Sequence, residues 1–193
     1  FLKDLPNADD VVPEALETVS SADKKELHNF IHELEQIKAT DADEKVKQAL
    51  DIVKVALDDD MNPIVFCQYI QTAEYVGKYF SDRLAGERKY KDVAVGIVTS
   101  RLADEERKMK IEELALNDRH VLVCTDCLSE GVNLQQGFEA VIHYDLPWNP
   151  MRIEQRIGRI DRRGQKSDTV KIYNMIIQDT IDETIYDRCL SKI

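Results

Sequence analysis

The chain has 193 residues, 43% of them hydrophobic, with a formal net charge of −11. That length allows one domain with a real core plus an appendage, and that apolar fraction excludes wholesale disorder. No apolar stretch approaches a membrane span, the first residues lack a signal-peptide pattern, and four cysteines do not build a disulfide scaffold, so a reducing, cytoplasmic setting is expected.

In chain order, residues 1–20 carry two prolines and several acids and read as an irregular lead-in. The first residue is Phe1 rather than Met, which suggests a piece of a longer chain. Ser20 or Ser21 can N-cap a helix running to about Ala39, with Leu27, Phe30, Ile31, Leu34 and Ile37 as its apolar stripe. A second helix fits residues 43–57, with Val46, Leu50, Val53 and Leu57 on one face. The run Asp58 to Pro63 breaks it. Residues 1–62 hold 7 basic and 16 acidic side chains, a balance of −9, which leaves −2 for residues 63–193. We therefore divide the chain into an acidic helical extension or connector, 1–62, and a main domain, 63–193.

After Pro63 short β-rich runs alternate with helical ones. The predicted strands are Ile64–Gln68, Val93–Val98, His120–Cys124, Ala140–Tyr144 and Thr169–Ile176. The predicted helices are Thr72–Leu84, Ala103–Asn117, Asn149–Arg163 and Asp179–Ser191. Uninterrupted apolar runs such as Val121-Leu122-Val123-Cys124 suit parallel strands buried on both faces. The alternation implies an α/β fold, a doubly wound, mostly parallel sheet. Ligands of such sheets sit beyond the carboxyl ends of the strands, so the loops there are where chemistry is expected.

The arginines cluster at residues 152–163. On a helix, Gln155, Arg159 and Arg162 fall within about 60° of one another, and Ile153, Ile157 and Ile160 point the other way. One face can pack while the other presents two guanidiniums, whose fixed charge and planar fork suit phosphate oxygens. Gly158 leaves room for another backbone to approach. Taken alone, the count of arginines is equally compatible with a solvated surface helix.

The wording of this segment is more specific. Gln155-Arg156-Ile157-Gly158-Arg159-Ile160-Asp161-Arg162 resembles motif VI of superfamily 2 helicases. Asp145-Leu146-Pro147-Trp148-Asn149-Pro150 before it resembles the D-x-x-W-N-P of Swi/Snf-type ATPases, and Gly164-Gln165 falls in the matching place after it. The stretch Thr125 to Leu134 resembles motif V, with Glu130 where the RNA-remodelling branch often has Arg. Pro63 to Tyr69 resembles motif IV, and Thr99-Ser100 with Glu106 to Ile111 loosely resembles the segment that follows it. The resemblance covers residues 63–193. It implies a RecA-like second lobe of a Swi/Snf-type superfamily 2 ATPase, similar to bacterial RNA-polymerase-associated members.

By that likeness Arg159 and Arg162 are arginine fingers, and Gln155, Gly131 and Asn133 lie on the ATP side. Thr125, Ser100, Gln68 and Tyr69 would contact nucleic acid. The resemblance implies ATP and Mg, bound mainly by a first lobe that these residues do not include, and double-stranded DNA as the track. It also implies the first RecA-like lobe and, for the similar bacterial members, RNA polymerase as partners, in the cytoplasm or at the nucleoid. The lobe alone is expected to be inactive. Two other readings remain open: a degenerate lobe that binds a partner through its acidic helices, and an RNA helicase lobe.

Other signals are set aside. Cys124-Thr125-Asp126-Cys127 lacks a second pair, and His28 and His32 lack a third ligand, so no metal site is expected. No G-x-x-x-x-G-K-[ST] occurs. Asp104-Glu105-Glu106 reads as a helix start rather than a metal-binding acid pair. Trp148 reads as a packing anchor for the loop that enters the arginine helix.

Overall fold

The structure is a computed structural model that describes residues 21–39, 42–128, 134–165 and 167–190. The chain divides into two compact units that part between Lys47 and Gln48, inside the second helix. The first unit contains α1 (Ser21–Ala39), on which Leu27, Phe30 and Ile31 are exposed. The helix α2 (Glu44–Asp58) begins where Asp43 accepts the Val46 N–H through its side chain at 3.1 Å. Beyond Gln48 its apolar stripe, Ala49, Leu50, Val53, Ala56 and Leu57, is buried, and Asp58 accepts a hydrogen bond from Tyr90 Oη at 3.0 Å. The part of α2 from Gln48 on belongs to the core of the second unit, which also holds the turn that follows it.

Among the described residues, β1 (Pro63–Phe66), β2 (Ala94–Val98), β3 (His120–Cys124), β4 (Ala140–His143) and β5 (Lys171–Asn174) form one sheet in the order β2-β3-β1-β4-β5. Every pairing is parallel, with Phe66 level with Cys124 on one side and His143 on the other. The three central strands are buried along their whole length, while the outer strands β2 and β5 are only partly covered. This is the pattern that uninterrupted apolar runs foretell. The predicted last strand extended from Thr169 to Ile176, yet the ladder holds only 171–174, because an edge strand has a neighbour on one side alone.

The helix α3 (Ile70–Gly86) packs so closely on β2 that a Cβ built on Gly77 would lie 2.4 Å from Ile97 Cγ1. The helix α4 (Asp104–Leu114) meets the same strand through Leu114, opposite Gly96. Gly96 and Ile97 are consecutive in a strand and point to opposite faces, so the two helices cover opposite sides of the sheet. The acids at the start of α4 act as expected: Glu106 accepts the Ala103 N–H at 3.1 Å. The helices α5 (Pro150–Ile157) and α6 (Ile181–Leu190) complete the order.

From β1 the chain crosses past β3 to reach β2, and from β3 it crosses β1 to reach β4. The connections leaving β1 and β4 therefore diverge, and a crevice opens between their carboxyl ends.

Gly77→Ala tests the close approach of α3. The added methyl collides with Ile97, an overpacking cost of about 1–3 kcal/mol, while helix propensity returns about 1 kcal/mol. We expect a net loss in urea-denaturation stability, and Ile97→Ala should be less damaging in the Gly77→Ala background than in the parent.

Candidate phosphate-facing site at the carboxyl edge of the sheet

The residues that build this edge converge on Arg156. Its side chain is 3% exposed, yet it carries a permanent charge. Nε donates to Asp126 Oδ1 at 2.6 Å and Nη2 to Oδ2 at 2.9 Å, a bidentate pair. Nη1 donates to the Asp145 carbonyl at 3.0 Å, and the guanidinium lies 5.0 Å from the Phe66 ring centre. Phe66 ends β1, Asp126 follows β3 and Asp145 follows β4. One side chain thus gathers the ends of the three central strands. Asp145 extends the set by accepting the Gln68 N–H at 3.0 Å, and Tyr144 and Asp145 both donate their N–H groups to the Phe66 carbonyl. Arg152, half exposed, lies 3.6 Å from the outer oxygen of Asp126.

The helix carrying Arg156 is started by Asn149, whose Oδ1 accepts the Met151 N–H at 3.1 Å, with Pro150 in the first turn. It ends at Ile157, six residues short of the predicted Arg163. Beyond it the backbone tightens: Arg159 N–H bonds the Arg156 carbonyl at 3.3 Å, Ile160 bonds Ile157 at 2.9 Å, and Arg162 bonds Ile160 at 3.0 Å. Two features hold these turns in place. Gly164 takes φ of +103°, a conformation that favours glycine. Gln165 donates through its side-chain amide to the carbonyls of Phe138 at 3.0 Å and Ile160 at 3.2 Å. An amide from downstream thus satisfies a carbonyl that a longer helix would have bonded itself.

Arg159 and Arg162 therefore sit on successive tight turns rather than on one regular helical face. The apolar underside is present nonetheless. Ile160 is fully buried in the main core with Phe138, Leu134 and Phe66, and Ile153 packs with Leu146, Ile157, Ile176 and Tyr186. Arg159 is half-buried and Arg162 and Gln155 are exposed. Among the described residues, neither Arg159 nor Arg162 meets a carboxylate within ion-pair distance. Gly158 turns with ordinary helical φ, and among the described residues a Cβ there would meet only carbonyls of its own turn.

The remaining expected site residues are spread along the same edge. Gln68 is half-buried and donates to Tyr69 Oη at 3.3 Å, and Tyr69 is 40% exposed at the start of α3. Ser100 is half-buried in the loop after β2. Thr125 is 5% exposed, and its hydroxyl is buried with no partner among the described residues, so it offers little to a surface ligand in this arrangement. Gly131, Asn133 and Glu130 lie outside the described residues. Trp148 is not a packing anchor: it is 65% exposed, because Leu146 and Pro147 take the buried positions in that loop.

Three residues that organise the edge escaped the sequence reading. Arg156 lies about 40° from Ile160 on the helix wheel, at the edge of the greasy side, and a charge buried there has to be paired. That position was the available signal. Asp126, its partner, carried none, and Gln165 carried only its place in the motif. His143, at the end of β4, is also unforeseen. It is fully buried, its Nδ1 pairs with Asn174 Oδ1 at 2.7 Å, and Nε2 has no partner among the described residues. Burial holds its pKa down at about 4, with the Arg156 charge acting in the same direction.

The comparisons agree with this architecture. A model of the helicase conserved C-terminal domain matches residues 44–164. The uncharacterized ATP-dependent helicase YqhH of Bacillus subtilis is 34% identical over 161 residues, which is 83% of this chain and 26% of that protein. The chain thus spans about a quarter of that relative's length. The RNA polymerase-associated protein RapA of Vibrio vulnificus is 46% identical over 65 residues, 34% of this chain and 6% of that one. Among solved structures, the C-terminal part of the Fun30 ATPase domain matches with TM-score 0.63 and 20% identity, covering 74% of this chain and 44% of that one. Domain 2 of the DEAD-box helicase Mss116p, bound to an RNA duplex, matches with TM-score 0.54 and 19% identity, covering 68% and 49%. At those identities the two structures speak for the RecA-like fold.

Two measurements test the geometry of this edge. Asp126→Ala strands a guanidinium that is 3% exposed and should cost about 3 kcal/mol. Arg156→Met leaves a carboxylate that is 30% exposed and near Arg152, so it should cost less, about 1–2 kcal/mol. Equal losses in chemical denaturation would contradict the burial described. The second concerns pH. A histidine with a folded pKa near 4 and an unfolded value near 6.5 stabilises the neutral fold fully above pH 6.5 and progressively less as pH falls toward 4. We expect about 2 kcal/mol to be lost between pH 6.5 and 5 through this group, and His143→Gln should remove that part of the slope.

Proposed function

The chain belongs to the helicase conserved C-terminal domain family, and from that footing we propose that it is the second motor lobe of a Swi/Snf-type, DNA-dependent ATPase. One observation carries the reading. Arg159 and Arg162 follow α5 with no carboxylate partner among the described residues, while the arginine three positions before Arg159 is buried and neutralised. A lobe that uses one arginine to build itself and leaves two uncompensated is arranged to receive negative charge from elsewhere.

The charge proposed is the triphosphate of ATP, held with Mg chiefly by a first RecA-like lobe. The sequence offers no P-loop of its own, which fits that division of labour. When the lobes close, Arg159 and Arg162 would stabilise charge developing on the transferred γ-phosphoryl group, and Gln155, exposed on the same segment, would lie on the nucleotide side. Gly131 and Asn133 join that side by family likeness alone. Gln68, Tyr69, Ser100 and Thr125, on the loops after β1, β2 and β3, form the proposed track for a nucleic-acid backbone. The burial of the Thr125 hydroxyl means that its loop has to shift for that contact.

Duplex DNA is favoured as the track over RNA. The likeness to RapA and the Trp148-Asn149-Pro150 wording support the Swi/Snf branch. The first lobe of the same chain is one proposed partner. RNA polymerase is another, by analogy with RapA, whose name records that association. The lobe on its own is proposed to be inactive, since it holds half of a site.

In the full-length protein, Arg159→Ala or Arg162→Ala should lower DNA-stimulated ATP hydrolysis at least about a thousand-fold with an unchanged thermal midpoint. Normal turnover in either variant would refute the assignment. Stimulation of the parent enzyme by RNA but not by duplex DNA would move it to the RNA helicase branch.

A further inference from the structure

We propose that Arg107 is a positioning residue that locks the loop after β2 to the loop after β3, so that a backbone engaged by the first is registered by the second. The proposal rests on the motor-lobe reading above.

Arg107 lies in the first turn of α4, and its side chain is 15% exposed. Nε donates to the Leu102 carbonyl at 2.8 Å, and Nη1 donates to the Cys127 carbonyl at 2.6 Å. Leu102 closes the turn that starts at Thr99 and contains Ser100, since its N–H bonds the Thr99 carbonyl at 3.2 Å. Cys127 directly follows Asp126, which Arg156 grips. Consecutive residues of the β3 loop are therefore held from two sides, by an arginine of α4 and an arginine of α5.

The position is electrostatically unusual. A cation in the first turn works against the helix dipole, whose positive end is there. Asp104 pairs with Arg107 at 2.7 Å, but Asp104 is 72% exposed and such a pair is worth little. What holds the guanidinium is the pair of carbonyls, which its rigid fork straddles. Lysine brings a single nitrogen on a flexible stem and cannot replace that bridge.

Followed further, the links are continuous. Leu102 joins Arg107, Arg107 joins Cys127, Asp126 joins Arg156, Arg156 joins the Asp145 carbonyl, and the Asp145 carboxylate joins the Gln68 N–H. The loops after β2, β3, β4 and β1 form one polar chain, and Arg159 is three residues from its midpoint. Arg107 brings in the turn after β2, beyond the bonds that Thr125 N–H and Cys127 Sγ make to the Val98 carbonyl at the end of that strand.

The test uses the full-length protein and duplex DNA of fixed length, with ATP hydrolysis measured against DNA concentration. In Arg107→Met and in Arg107→Lys we expect the half-saturating DNA concentration to rise about fivefold or more, with hydrolysis in the absence of DNA within about twofold of the parent. Half-saturation unchanged in Arg107→Met, full rescue by Arg107→Lys, or an equal fall of basal and stimulated rates would overturn the proposal. If Arg107→Met does not fold, the lysine variant decides by the same criteria. Arg159→Ala in the same assay separates the two readings. If it loses turnover while the Arg107 variants match the parent, only the positioning role falls. If it keeps turnover, the motor reading falls as well.

Discussion

Arg156 is charged, almost wholly withdrawn from water and flanked by isoleucines, a combination that is tolerable only with full compensation. Asp126 supplies the opposite charge, the Asp145 carbonyl accepts a further hydrogen bond, and the Phe66 ring takes one face. Each of these groups comes from a different strand end. The requirement to satisfy one guanidinium therefore sets where three loops stop and how far apart they lie. The tight turns that follow, with Arg159 and Arg162, inherit their position from that arrangement and from Ile160, which is sunk in the core beneath them.

The sheet makes the arrangement possible. Its central strands are buried on both faces, so their carboxyl ends cannot wander without disturbing helices on two sides. The close seating of α3 and α4 on β2, each at a position where one partner is glycine, fixes the layers at short distance. The candidate site is thus mounted on the buried central strands, while the groups proposed to face a ligand lie on loops and turns.

Most of this architecture is legible in the sequence because it rests on patterns that survive without tertiary knowledge. The run Val121 to Cys124 can only be a strand buried twice, and the change of period at Pro63 marks where the sheet begins. The motif wording singled out the segment on which the proposed phosphate-facing arginines lie. The sequence misled where a distant group decides the local geometry. Past Ile157 the arginine segment continues as tight turns, held by a side-chain amide from Gln165 and followed by a left-handed glycine at 164, and neither leaves a periodic trace. The exposure of Trp148 and the burial of Arg156 both invert residue-type expectation, and each does so because a neighbour, Leu146 in one case and Asp126 in the other, takes the usual role. The division at residue 62 rests on charge, whereas the division into compact units follows the buried underside of α2 from Gln48 on.

Trp148 is the sole tryptophan of the 193 residues, and it stands 65% exposed one residue before the cap of the arginine-bearing helix. Indole emission depends on the polarity around the ring, and in this chain it comes from one place. The molecule therefore carries a built-in optical probe at the lip of its crevice. Anything that settles there, whether a base, a neighbouring lobe or a polymerase surface, would shift the colour of that light without a dye being attached.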